Sequence, residues 1–161
     1  MVRASKKEIR KRVRLIDNRK WEEELADKST LVLYRKFKKG IKEEEIFDNR
    51  YSSRILFWTR SNTLDVNDGP RNRDERTRGD ISCNMCGAER EDIEHFVLKC
   101  RNLEHRRDGE LIERLKGENE EETLGNLLFD AKEDDLDAIK EMLQKMWDSR
   151  KYQLVAARRR N

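Results

Sequence analysis

Proline occurs once in 161 residues, and runs of β-branched residues are scarce. With Lys, Arg, Glu and Leu abundant, little in the chain stops a helix and much favours one. No apolar run approaches the roughly 20 residues that span a bilayer, and the basic N-terminus lacks the apolar core of a signal peptide. A soluble, intracellular protein of nucleus or cytoplasm, with no membrane partner, is therefore expected. Hydrophobic residues make up 35%; adding the seven glycines still leaves them below the roughly 45–50% of a typical domain. The core must be thin. Only three cysteines are present, an odd number within one short stretch, so a disulfide framework is disfavoured and a reduced thiolate site is favoured.

What the chain does have is charge. Charged residues make up 44%, and 37 Lys and Arg nearly cancel 34 Asp and Glu. The cancellation hides a polarity. Residues 1–80 carry a net +7 and residues 81–161 a net −4, which points to an anionic partner for the first half.

Helical spacing of Ile9, Val13, Ile16 and Leu25, with Trp21 beside them, predicts an amphipathic helix over 4–27. Ser29 or Thr30 can cap a second helix with a stripe of Leu31, Tyr34, Phe37 and Ile41. A third is predicted over about 49–62, presenting Tyr51, Ile55 and Trp58 or Thr59. Residues 65–80 are polar, contain Gly69, Pro70 and Gly79, and read as a linker. Beyond it, Leu103, Leu111 and Leu115 predict a helix over about 101–116, with Arg107 interrupting its apolar stripe. A short helix through Leu124, Leu127 and Leu128 and a long one over 134–157 follow. The expected class is mainly α, a small helical assembly around a zinc knuckle, with little or no sheet. The charge pattern divides it into a basic helical region (1–64), the linker (65–80), a metal-binding segment with its following helix (81–116) and an acidic helical segment (117–161). A chain ending near Lys116 is expected to stay folded and keep metal and nucleic-acid binding. If Leu136, Ile139, Leu143 and Trp147 instead pack on the first three helices, the truncation would unfold.

All three cysteines and one of two histidines fall in "CNMCGAEREDIEHFVLKC". The spacing Cys83-x2-Cys86-x8-His95-x4-Cys100 is a four-ligand set of the kind structural zinc sites use. A Cys-x2-Cys pair lets two sulfurs grip one ion from a tight turn, and Gly87 after it can take the positive φ that such a turn needs. His95 and Cys100 then approach from a turn or two of helix. Four protein ligands leave no position open for water or substrate, so this zinc would fold a peptide without doing chemistry. A histidine in the set disfavours an iron–sulfur cluster. The second histidine, His105, sits among charges in "EHRR" and reads as a solvated surface residue.

"ILFWTRSNTLDVNDGPRNR" followed by "CNMCGAEREDIEHFVLKCRNLEHRR" resembles the C-terminal zinc-binding segment of non-LTR retrotransposon reverse transcriptases, particularly the jockey-like elements. Glu94, His95, Phe96 and Cys100 match the family's Glu-His-hydrophobic element and its last cysteine. Thr59-Arg60 with Asn62-Thr63-Leu64 match its preceding helix end. The similarity covers about residues 20–107 and departs at Arg101, where the family frequently has proline. It implies a segment that holds template RNA or target DNA near a polymerase, the chain being a fragment or a truncated, repurposed copy.

The resemblance does not imply a polymerase here. The paired aspartates of a polymerase sit on a hairpin, whereas the only Asp-Asp, Asp134-Asp135, lies at a charged helix start, and no carboxylate cluster of a nuclease is evident. No enzymatic activity is expected. The candidate phosphate ligands are Arg10 and Arg14 of the first helix, Arg35, Lys36, Lys38 and Lys39 of the second, Arg54 and Arg60 of the third, Arg71, Arg73, Arg76 and Arg78 of the linker, and Arg101, Arg106 and Arg107 beside the knuckle. The bland alternative is a set of solvated helix faces paired with glutamate at i+4, as Arg19 with Glu23 would be. A second functional reading is a protein-interaction module whose zinc only clips helices together. Its last helix would dock on a polymerase body or on a second copy.

Overall fold

The computed structural model describes residues 5–28, 30–41, 46, 48–69 and 80–159, and among them it contains helices and turns but no strand. Helix α1 (Lys6–Ala26) starts at a capping box, in which the Ser5 hydroxyl accepts from the Glu8 amide and the Glu8 carboxylate accepts from the Ser5 amide. Short α2 (Val32–Phe37) follows. Its N-cap is Leu31, without a side-chain bond, so Thr30 does not cap it; Ser29 lies outside the described residues.

Helix α3 (Tyr51–Arg60) buries Ile55, Leu56 and Thr59. The metal segment then leads through a π-helical turn (His95–Lys99) into a 3-10 turn (Arg101–Arg106) and α4 (Gly109–Arg114). The single helix expected over 101–116 is thus broken at Arg107 and Asp108. The break has a cause on each side: Arg107 turns back to donate to two backbone carbonyls, and the Asp108 carboxylate caps α4 at the Leu111 amide. Helix α5 (Glu120–Gly125) and a π turn (Asn126–Asp130) precede the long α6 (Glu133–Arg158).

One core runs through almost all of these elements. Ile55 and Leu56 of α3, Ile93, Phe96, Val97, Cys100 and Leu103 of the metal segment, Leu124, Leu127 and Leu128, and Ile139, Leu143, Met146 and Trp147 of α6 form a single buried cluster. The largest packing is α3 against α6. The boundary at residue 117 drawn from charge therefore does not divide the core, and the expectation that a chain ending near Lys116 stays folded is reversed. Phe96 meets Trp147 edge to face at 6.0 Å, placing α6 next to the metal segment.

Two smaller packing arrangements fix the rest. Phe37 of α2 lies against the backbone at Gly125, where a Cβ would come within 2.6 Å of its ring, and Tyr34 and Phe37 both pack on Phe129. Helix α1 is tied at its far end, where Arg35 donates to the Ala26 carbonyl and the Ile41 amide donates to Asn18. Its first turns touch little. Ile9, Val13 and Ile16 are 51%, 49% and 56% exposed, and Leu25 is its buried residue. The predicted apolar stripe exists but stays about half exposed along most of its length.

Candidate metal centre and basic surface

The cysteine loop is a tight knuckle. The Gly87 amide donates to the Cys83 carbonyl and the Cys83 amide to the Ala88 carbonyl, both at 2.8 Å, and Gly87 takes φ +75°. That conformation is nearly free for glycine and costly for residues with a Cβ. His95 and Cys100 come from the π turn. Residues five apart on an α-helix point about 140° away from each other. A bond from the Cys100 amide to the His95 carbonyl, 2.8 Å long and of the i→i+5 type, widens the turn and returns both side chains to one side.

Cys83, Cys86, His95 and Cys100 thereby converge, all four ligand atoms lying within 4.8 Å of one another. The Cys83 and Cys100 sulfurs are 3.9 Å apart, and the Cys86 sulfur is 3.3 Å from His95 Nε2. The four residues are positioned to hold a metal ion. Without one, the hydrogen bond between Cys83 and Cys100, aided by burial, pushes the Cys83 thiol up, while accepting it lowers that of Cys100. Burial holds His95 below the usual imidazole range, which favours the neutral form that ligates metals.

Three further residues support the loop: Asp92 and Glu91, which do not stand out in the sequence, and Arg107, which the sequence offered as a phosphate ligand instead. The Asp92 carboxylate accepts from the His95 amide at 2.8 Å, capping the turn. Arg107 donates to the carbonyls of Val97 and Cys100, tying down the end of the same turn. Glu91, 2% exposed, has a carboxylate oxygen 3.7 Å from the Cys83 sulfur. A glutamate five residues after a Cys-x2-Cys pair gives no signal in a chain where 44% of residues are charged.

The basic residues divide by what they touch. Arg60 is buried at 4%, with its guanidinium 5.4 Å from the Phe129 ring centre, so it leaves the set of surface phosphate ligands. Arg107 is half-buried and engaged as just described. Arg35 caps α1, Lys36 pairs with Glu121 at 2.5 Å, and Lys38 lies over the Tyr34 ring. Arg54 is exposed beside Tyr51, Arg101 and Arg106 are exposed near the metal loop, and Lys39 is exposed after α2. Arg71, Arg73, Arg76 and Arg78 fall outside the described residues.

Helix α1 differs from all of these. Lys6, Lys7, Arg10, Lys11 and Arg14, with Leu15 and Asn18, line one open groove of about 640 Å³. All five cations are exposed, and none forms an ion pair among the described residues.

Comparison of the chain with family models, with curated proteins and with solved structures finds no match. No helix among the described residues is long and apolar enough to cross a membrane.

Proposed function

We propose that this chain is a zinc-organised helical module that binds the phosphate backbone of RNA or DNA through α1 and has no catalytic role of its own. Zinc is the ion the donor set suits. Three thiolates and an imidazole make a closed tetrahedral site, and Zn–S bonds of about 2.3 Å imply sulfurs about 3.8 Å apart, close to the 3.9 Å between Cys83 and Cys100. A site filled by protein ligands orders its loop and leaves no coordination position for a reacting group.

The nucleic-acid reading rests on one observation: five cations on one face of α1 with no acidic partner among the described residues. Self-neutralising helix faces pair Lys and Arg with Glu at i+4, and residues 6–14 hold six cations against one acid, Glu8. Glu8 is already engaged at the Ser5 cap. Such a face attracts polyphosphate and releases counterions on binding it. The similarity of the Cys/His block to the retrotransposon segment agrees with this reading. Electrophoretic binding to single-stranded RNA, duplex DNA and a heteroduplex, with and without zinc, tests it. Retardation that weakens steeply with salt supports it, and indifference to all three at low salt removes it.

One observation favours the second reading, a protein-interaction module. Ile9, Val13 and Ile16 form a stripe about half exposed on another side of α1, which a protein partner would cover. On the last helix, Ile139, Leu143, Met146 and Trp147 are buried within this chain, so docking through that helix would have to use exposed residues such as Tyr152 and Val155. Capture of a protein by α1 without nucleic-acid binding would decide for this alternative.

A further inference from the structure

Arg150 of α6 and Glu91 of the metal loop form a bidentate ion pair in the interior. Arg150 Nε donates to Glu91 Oε1 at 2.8 Å and Nη2 to Oε2 at 2.6 Å, with the residues 4% and 2% exposed. The Asn67 amide donates to Glu91 Oε2 at 3.0 Å, and the Asn67 side-chain oxygen accepts from Arg150 Nη2 at 3.4 Å. The other Glu91 oxygen faces the Cys83 sulfur at 3.7 Å. The Glu91 backbone is also tied, its amide to Ile81 and its carbonyl to Asp68, both at 2.8 Å. One carboxylate thus touches the metal loop, the turn after α3 and the last helix at once.

From this arrangement we infer that Glu91 and Arg150 make metal occupancy and docking of α6 one coupled event. The inference rests on the proposed zinc site, and position and charge carry it. A divalent ion with three thiolates and an imidazole carries a net −1, and Glu91 sets a second negative charge beside it. Arg150 is the buried cation that offsets this pair, from a helix 59 residues further along the chain. Its guanidinium also lies 5.2 Å from the Trp147 ring, and Trp147 meets Phe96, the neighbour of His95. Removing Arg150 leaves a buried carboxylate uncompensated next to a metal-bound sulfur, a strongly unfavourable arrangement. Coupling is reciprocal: whatever the helix contributes to the metal, the metal contributes to the helix.

The test measures zinc affinity by competition with a chromophoric chelator, and hydrogen exchange of residues 139–156 before and after chelation. Arg150→Met should weaken zinc binding ten- to a hundredfold, as loss of groups supporting metal ligands typically does. Arg150→Lys, keeping charge but losing the fork, should fall between. Chelation of the unaltered chain should speed exchange along α6. Wild-type zinc affinity in both variants, together with α6 exchange indifferent to chelation, would overturn the coupling while leaving the zinc site standing. No zinc uptake by the unaltered chain would overturn both. If Arg150→Met fails to fold, Arg150→Lys and the exchange measurement on the unaltered chain still decide.

Discussion

Helix α1 and helix α6 are both long and densely charged, yet they use charge in opposite ways. On α6, cations are placed against acids: Lys140, 2% exposed, donates to Asp48, Lys151 pairs with Asp148, and Arg150 clamps Glu91. Its Ile139, Met142, Leu143, Met146 and Trp147 enter the core, while Tyr152 and Val155 near its end stay exposed. On the first turns of α1, cations face solvent without acids among the described residues, and the apolar stripe is half exposed. Charge density alone therefore does not separate a structural helix from a binding helix. Pairing does, because a paired cation is occupied with holding the fold while an unpaired one attracts an external anion at little cost to stability.

Deleting α6 should have the largest effect. A chain ending at Lys116 loses Leu124, Leu127, Leu128, Ile139, Leu143 and Met146 from a core that also holds α3 and the metal segment. Calorimetry of this truncation should show no cooperative transition. A comparable collapse is not expected when α1 is removed, since Leu25 is that helix's buried residue.

Metal removal comes next. Zinc binding supplies folding free energy of about 10–16 kcal/mol in small zinc peptides. Chelation or Cys86→Ser should therefore loosen the metal segment, and α3 and α6 with it because Cys100, Ile55 and Leu143 share one core. The same transition should appear on acidification. Burial lowers His95, so the unfolded chain takes up the imidazole proton more readily. The stability this contributes is present above the ordinary imidazole value of about 6.5 and lost as pH falls below it. Proton competition for the thiolates acts in the same direction. A melting temperature that rises on acidification from about pH 7.5 to about pH 5.5 would contradict this.

A smaller effect is expected at Gly87. Placing alanine at φ +75° should cost about 1–2 kcal/mol, with no steric clash added because nothing lies within 4 Å of the new Cβ. Chemical denaturation of the zinc-loaded protein reads that cost. A neutral result would mean the knuckle relaxes to another conformation.

Much of this was legible in the sequence for reasons that can be named. The convergence of Cys83, Cys86, His95 and Cys100 was, because no other cysteine competes for the assignment and the glycine after Cys-x2-Cys suits a tight turn. Helices were, because proline is nearly absent. The π turn was not, since nothing in "HFVLK" distinguishes it from α-helix until His95 and Cys100 must face one ion. Arg60 and Arg107 read as surface cations because position along a chain does not reveal that a guanidinium lies over Phe129 or turns back to Val97 and Cys100. The Glu91–Arg150 pair was hidden for the same reason, joining residues 59 apart among many charges of both signs. The exposed face of Ile9, Val13 and Ile16 shows the converse error: helical spacing predicts a stripe, but not that anything covers it.

Whether α1 is the binding element is decided by comparing the unaltered chain with a variant in which Lys6, Lys7, Arg10, Lys11 and Arg14 are all replaced by glutamine. Affinity for RNA and for duplex DNA is measured across a salt series alongside the melting temperature. The logarithmic salt dependence should flatten by about 0.7 to 0.9 for each phosphate that the variant no longer neutralises, while stability changes by no more than about 0.5 kcal/mol per substitution, as for surface substitutions generally. An unchanged salt dependence, or no nucleic-acid binding by the unaltered chain, would contradict the role given to α1.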